Sequence, residues 1–237
     1  MNYTLTAEEY ILSLLLLDGA EVAHSIKEEV FGEISEKELE TRLDSATSGL
    51  ISKGLLTFEN QQERMDETFK SFMLGLTKVK RVIRCQIASD DGVFSTSLFC
   101  HNSFFIQNAL YDNRIYHLYE KSDHTDLPAL IDLNPYVESG ESFSIKEQLF
   151  ERVIDKLLGN EELANEEIEQ FSPVFFKALQ EKKGKLNALY DYHLGQQVSI
   201  GSLLYITYEE KSWSIENKGD TLIISPFSLQ DLLEVEK

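Results

Sequence analysis

The sequence is poor in the signatures that announce chemistry. It has two cysteines, Cys85 and Cys100, and five scattered histidines. It has no Cys-x-x-Cys, no His-Glu-x-x-His, no phosphate-cradling Gly-rich loop and no nucleophile elbow. No catalytic residue, cofactor or metal ligand is therefore expected, and the chain reads as a non-enzyme. The one grouping to weigh for zinc is Cys85, Cys100, His101 and His117. Side chains alternate faces along a strand, so the neighbours Cys100 and His101 point opposite ways unless a bulge intervenes. With 41 acidic residues, carboxylate pairs arise by chance, so acid–base chemistry needs geometry before it can be argued.

Long apolar runs are missing too. The longest, Leu14 to Leu17 extended back to Tyr10, falls far short of the ~20 residues that cross a bilayer. No basic stretch followed by a cleavage site opens the chain, so a cytoplasmic protein is expected. In that reducing compartment Cys85 and Cys100 are expected as free buried thiols; a bridge would need a strand register the sequence does not predict. Positive charge is scarce: 22 basic against 41 acidic residues leave a net charge of −19. Such a surface repels phosphate backbones and anionic lipid, which disfavours nucleic acid and membranes as partners. The surplus is densest between Glu138 and Glu169, where ten acidic residues meet three basic ones. A charged run of this kind is first a solvated helix face, and it also suits binding a basic or aggregation-prone polypeptide.

What the chain does have is apolar content of 42%, rich in Phe and Tyr, which makes it globular. Val79 to Tyr119 reads as a four-stranded antiparallel meander. Val79 to Ile87 and Val93 to Cys100 flank the turn Asp90-Asp-Gly92, then come Ser103 to Gln107 and Arg114 to Tyr119 around Tyr-Asp-Asn. Ahead of it, Thr6-Ala-Glu-Glu9 is a capping box that starts a helix near Ala7, stopped by Asp18-Gly19. A second helix is expected over Val22 to Val30. A third begins at Ser35 with Glu38 at N3 and ends at Lys53-Gly54, followed by a short strand, Leu55 to Phe58. A fourth, Gln62 to Leu76, carries Met65, Phe69, Phe72, Met73 and Leu76 on one face. Three helices and a strand also open a winged helix-turn-helix, but Glu36, Glu38, Glu40 and Asp44 outweigh Lys37, Arg42 and Lys53 on the helix that would read DNA.

After a short helix at Thr125 to Ile131 and a linker at Asn134 to Ser142, Ser144-Ile-Lys-Glu147 reads as another capping box. Its helix carries Ile145, Leu149, Val153, Ile154, Leu157 and Leu158 and stops at Gly159. An acidic helix is expected from Glu161 and another from Ser172-Pro173 to Lys183-Gly184. Four strands follow, Leu186 to Tyr192, Leu203 to Tyr208, Trp213 to Glu216 and Thr221 to Ile224, then a closing helix, Pro226 to Val235. The expected fold is α+β: an antiparallel sheet built from two similar helix-then-four-strand halves, residues 1–137 and 138–237, with quasi-twofold symmetry, flanked by helices in one continuous body.

Three side chains are candidate anchors for a protein partner. Phe104 and Phe105 put aromatics on both faces of one strand, and Trp213 stands near a turn; each also suits a core. The order of elements resembles the EspG-type chaperones of type VII secretion. The resemblance is carried by the capped helix Thr6 to Leu17, the helix exit Ser48-Gly-Leu-Ile-Ser-Lys-Gly-Leu55, the helix Gln62 to Leu76 entering a meander, and the ending Leu203 to Val235. It implies an acidic cytosolic α+β protein that binds a helical export substrate and keeps it soluble. No residue of the family's substrate-binding loop aligns here, so no site is carried over. The leading expectation is a polypeptide-binding export chaperone. The alternatives are an immunity protein that neutralises a basic toxin, a winged-helix DNA-binding regulator, and last an enzyme.

Overall fold

The structure, a computed structural model, describes residues 1–59, 62–100, 103–123, 125–136, 141–193 and 199–234. His101, His124 and residues 137–140 of the expected linker lie outside them.

The chain opens with a strand that the sequence reading did not anticipate. β1 (Asn2–Thr6) leads straight into α1 (Ala7–Leu15). Thr6 Oγ1 accepts from the Glu9 amide at 3.2 Å and the Glu9 carboxylate accepts from the Thr6 amide at 2.8 Å, the reciprocal cap that Thr-x-x-Glu predicts. α2 (Ala20–Phe31) follows, then α3 (Glu36–Ser52), capped by Ser35 Oγ accepting from the Glu38 amide. β2 (Leu56–Glu59) and β3 (Gln62–Met65) form a separate two-stranded ladder. The helix expected from Gln62 therefore starts later. Asp66 accepts from the amides of Thr68 and Phe69 at 3.1 and 2.8 Å and opens α4 (Glu67–Thr77), because a short acidic side chain satisfies first-turn donors that Gln62 leaves bare.

The meander is β4 (Arg81–Ser89), β5 (Gly92–Cys100), β6 (Phe104–Leu110) and β7 (Ile115–Lys121). Gly92 turns at φ +128°, and Tyr111, Asp112 and Asn113 all take left-handed backbone between β6 and β7. α5 (Leu127–Leu130) closes this half.

In the second half the expected Ser144 capping box gives way to β8 (Phe143–Lys146). Ser144 and Ile145 pair with Ile223 and Leu222, so this backbone satisfies itself on a neighbouring strand, and α6 (Glu147–Leu158) begins without a side-chain cap. The acidic helix is short, α7 (Asn165–Ile168), and α8 (Pro173–Glu181) starts on its N1 proline. Then come β9 (Asn187–His193), β10 (Ser199–Tyr208), β11 (Lys211–Asn217), β12 (Thr221–Pro226) and α9 (Leu229–Glu234).

Among the described residues, ten strands hydrogen-bond in the order β1-β7-β6-β5-β4-β9-β10-β11-β12-β8. The fold is α+β with a large antiparallel sheet. Two strands that lead straight into a helix each pair antiparallel with a later strand: β1 with β7, β8 with β12.

Two compact units emerge. The first gathers Met1–Val82 with Ser97–Ser122, the second Ile83–Thr96, Asp123–Tyr192 and Ser199–Lys237. The core of the first joins Tyr10, Ile11 and Leu14 of α1 to Phe69, Phe72 and Met73 of α4 over Phe105, Tyr116 and Leu118 of the sheet. That of the second sets Phe150 and Val153 of α6 and Phe175, Phe176 and Leu179 of α8 on Ile206, Trp213, Ile215 and Ile224. The opposite side of β10 and β11 carries polar residues, as the period of two requires. There the Tyr205 hydroxyl donates to the Ile131 carbonyl, and Thr207 Oγ1 donates to the Asp132 carbonyl at 2.6 Å. Burial pushes the Tyr205 phenol far above its usual pKa, and the same cause acts on Tyr10.

Candidate functional site

The three side chains singled out as partner anchors are all buried. Phe104 and Phe105 are each 7% exposed. Phe105 meets Phe72 edge to face at 5.3 Å, and its ring lies where a side chain at Gly75 would stand. Trp213 is 8% exposed and edge-on to Phe175 at 5.6 Å. Phe105 and Trp213 hold cores together, because α4 and α8 each bring a Phe-rich face onto the strand that carries them, while Phe104 is buried on the opposite side of β6.

The surface feature that sequence reasoning missed is a cavity of about 660 Å³ in the second unit. Ala188 and Tyr190 of β9, Leu204 of β10, Ile215 of β11 and Leu222 of β12 line it, with Phe150 and Glu151 of α6 beside them. Leu204 pairs across the strands with Ile215, and Ile206 with Trp213. Cover ends within the first of these pairs: Ile206 and Trp213 are buried, and Ile215 is 4% exposed, but Leu204 is 41% exposed. Farther along the same side of β10, past Ser202, Ile200 is exposed as well. On β9, Tyr190 and Tyr192 stack at 6.5 Å, an interaction between residues two apart and so on one face. The only sequence signal for this exposed surface is that Ile200, Leu204 and Ile206 share a parity within β10, which by itself says nothing about which of them a helix covers.

Charge around the cavity is one-sided. Among the described lining residues, the carboxylates on the side of the sheet that carries Leu204 and Tyr190 are Glu147 and Glu151 of α6; Asp191 and Glu216 follow Tyr190 and Ile215 in their strands and so point to the other side, as the alternation of a strand requires. Lys218 is already paired with Glu216 at 3.1 Å, and Asn217 Nδ2 donates to the Glu147 carboxylate. Elsewhere in this unit the acidic run is tied internally. Lys156 bridges both oxygens of Glu167 at 2.8 and 3.0 Å, and that ion pair, with the Ala164 amide, holds the Glu167 carboxyl below its ordinary pKa.

The residues weighed for DNA and zinc have other engagements. On α3, Arg42 binds Glu38 at 2.9 Å and Glu8 at 3.2 Å and lies over the Phe31 ring, while just past its end Lys53 binds Glu9 at 2.6 Å. Cys85 and Cys100 are free thiols, the first buried and the second half-buried. Among the described residues no three His, Cys, Asp or Glu side chains gather as a metal site. No helix among them is long and apolar enough to cross a membrane.

Residues 3–235 match a protein-family model described as YfjC, "Uncharacterised protein YfjC". The chain belongs to the YfjC family. No curated protein matches it. Among solved structures, it is similar to the Mycobacterium tuberculosis type VII secretion system chaperone EspG5, in complex with the PE25-PPE41 dimer. The TM-score is 0.57 at 10% identity, covering 98% of this chain and 93% of that one. Likeness at so low an identity concerns the fold alone.

Proposed function

We propose that the protein is a non-enzymatic polypeptide-binding chaperone that covers the apolar part of a helical export substrate and keeps it dispersed until secretion. The observation that carries this reading is the apolar surface beside the cavity, where β10 leaves the core at Ile206 and exposes Leu204, with Ile200 exposed beyond Ser202 on the same side. Exposed apolar surface beside a cavity marks a place for another chain. The fold supports the reading, since EspG5 is itself a secretion chaperone. So does the charge of −19, which would keep a complex soluble; on this reading the protein acts in the cytoplasm, before export. On this reading residues 1–137 and 138–237 are two versions of one plan, each an opening strand, helices and a meander that returns to the opening strand.

The test is co-expression with a helical export substrate from the same host, followed by gel filtration and light scattering. A stoichiometric complex and reduced scattering of the substrate are expected. Equal aggregation of every such substrate with and without the protein refutes the reading.

A further inference from the structure

The chemistry of the partner follows from what lines the cavity. β9, β10, β11 and β12 are consecutive hydrogen-bonded strands, with a neighbour on either side of each. An incoming chain therefore finds no open backbone edge here and must satisfy its own amides and carbonyls, which a helix does. Its contact side must be apolar to cover Tyr190 and Leu204 and to reach Phe150. The volume of about 660 Å³ falls within the range of ligand-holding clefts, roughly 300–1,000 Å³. Ile200 lies exposed beyond Ser202 on the same side of β10, so an elongated occupant covers both Leu204 and Ile200 where a compact one covers only the first. One flank of the occupant meets the carboxylates of Glu147 and Glu151, one turn apart on α6. Like charge on a partner would be penalised there, and opposite charge favoured.

We propose that this cavity binds an amphipathic helix of another polypeptide whose apolar stripe is flanked by Lys or Arg. The inference rests on the chaperone reading and adds the charge of the client. Leu204 and Tyr190 receive the stripe, and Glu147 and Glu151 select the flank.

The test uses the purified full chain and two fluorescent synthetic helices that share one Leu/Ala stripe, the first flanked by Lys and the second by Glu, with anisotropy as readout. The Lys-flanked helix is expected to bind at least about tenfold more tightly at low ionic strength, the gap narrowing to about threefold near ~0.5 M salt as the Debye length shrinks. Leu204→Ser weakens both helices by about threefold or more, as loss of buried apolar area requires. Circular dichroism and Trp213 fluorescence verify that each variant is folded. The whole molecule is acidic, so its global field must be separated from the local rim. Glu147→Lys with Glu151→Lys should remove most of the preference, whereas the same change in charge on α3, Glu36→Lys with Glu40→Lys, should remove less than about half of it. Equal binding of the two helices overturns the inference and leaves the chaperone reading standing. So does a preference that both double variants reduce equally, or indifference to Leu204→Ser. Binding of neither helix also overturns it, and the co-expression result then decides separately whether the chaperone reading survives.

Discussion

Glycine 75 sits inside α4, where alanine would ordinarily stabilise the helix by about 1 kcal/mol. The structure reverses that expectation. A Cβ built on Gly75 would stand 2.4 Å from Cζ of Phe105 and 3.0 Å from both Cε atoms. Carbon pairs rest at roughly 3.5–4.0 Å, so the ring must retreat by about 1 Å or more. It has little room: Phe105 is 7% exposed and edge-on to Phe72, which is itself edge-on to Tyr3 at 5.0 Å. Forcing a methyl into such a core costs about 1–3 kcal/mol, and spoiling the aromatic pair about 0.5–1.5 kcal/mol more. After the helical gain is subtracted, Gly75→Ala should destabilise the protein by about 1–3 kcal/mol, or about 2–4 °C in Tm for each kcal/mol. Urea unfolding followed by far-UV circular dichroism measures it. The double variant with Phe105→Leu, whose shorter side chain vacates the Cζ position, should cost less than the sum of the two single changes by about 0.5–3 kcal/mol. A Gly75→Ala protein stabilised by about 1 kcal/mol, or strict additivity with Phe105→Leu, would refute the reasoning.

Three further outcomes are expected. Lys53→Met strips the nearly buried Glu9 of its ammonium partner and the Thr4 carbonyl of a donor; with Lys53 partly exposed the loss should be about 1–2 kcal/mol, against under about 0.5 kcal/mol for Lys37→Met on the exposed side of α3, both by urea titration. Tyr205→Phe leaves the Ile131 carbonyl without its donor and should cost about 1–2 kcal/mol. Because the folded-state pKa of Tyr205 is raised, its contribution is complete below the unfolded value of 10.0 and is lost as pH rises beyond it, so the variant should show a shallower alkaline loss of stability than the native protein. Glu167 has the opposite sign: its folded-state pKa is lowered, so its contribution is present above the unfolded value of 4.5 and fades as pH falls through the lower folded value. Glu167→Gln should thus shift the urea midpoint at neutral pH and leave it unchanged once the native carboxyl is protonated; an equal shift at both pH values would rule out the ion pair with Lys156.

The two Ser/Thr-x-x-Glu stretches show where sequence reasoning is enough and where it fails. At Thr6 the box forms, because every group it needs lies within three residues. At Ser144 the same letters lie in β8 instead, since residues 221–224 offer a ladder from nearly eighty positions away. β1 is invisible for the same reason, its partners being Ile115 to Tyr119. At Phe104, Phe105 and Trp213 the residue types were right for either anchor or core. Helix faces that arrive from elsewhere, those of α4 and α8, make Phe105 and Trp213 core, and Phe104 is buried on the other side of its strand.

Local chemistry written in the chain determined the helix caps at Thr6 and Ser35, the turns at Asp90-Asp-Gly92 and Asn217 to Asp220, the α+β class and the acidic surface, all of which depend on neighbours in sequence or on composition. Only the tertiary structure decided which apolar residues stay uncovered. The cavity is assembled from α6, β9, β10, β11 and β12, and Leu204 differs from Ile206 only in where helix cover stops. The likeness to EspG5 at 10% identity has the same origin, because many different apolar sequences satisfy one pattern of burial and strand order.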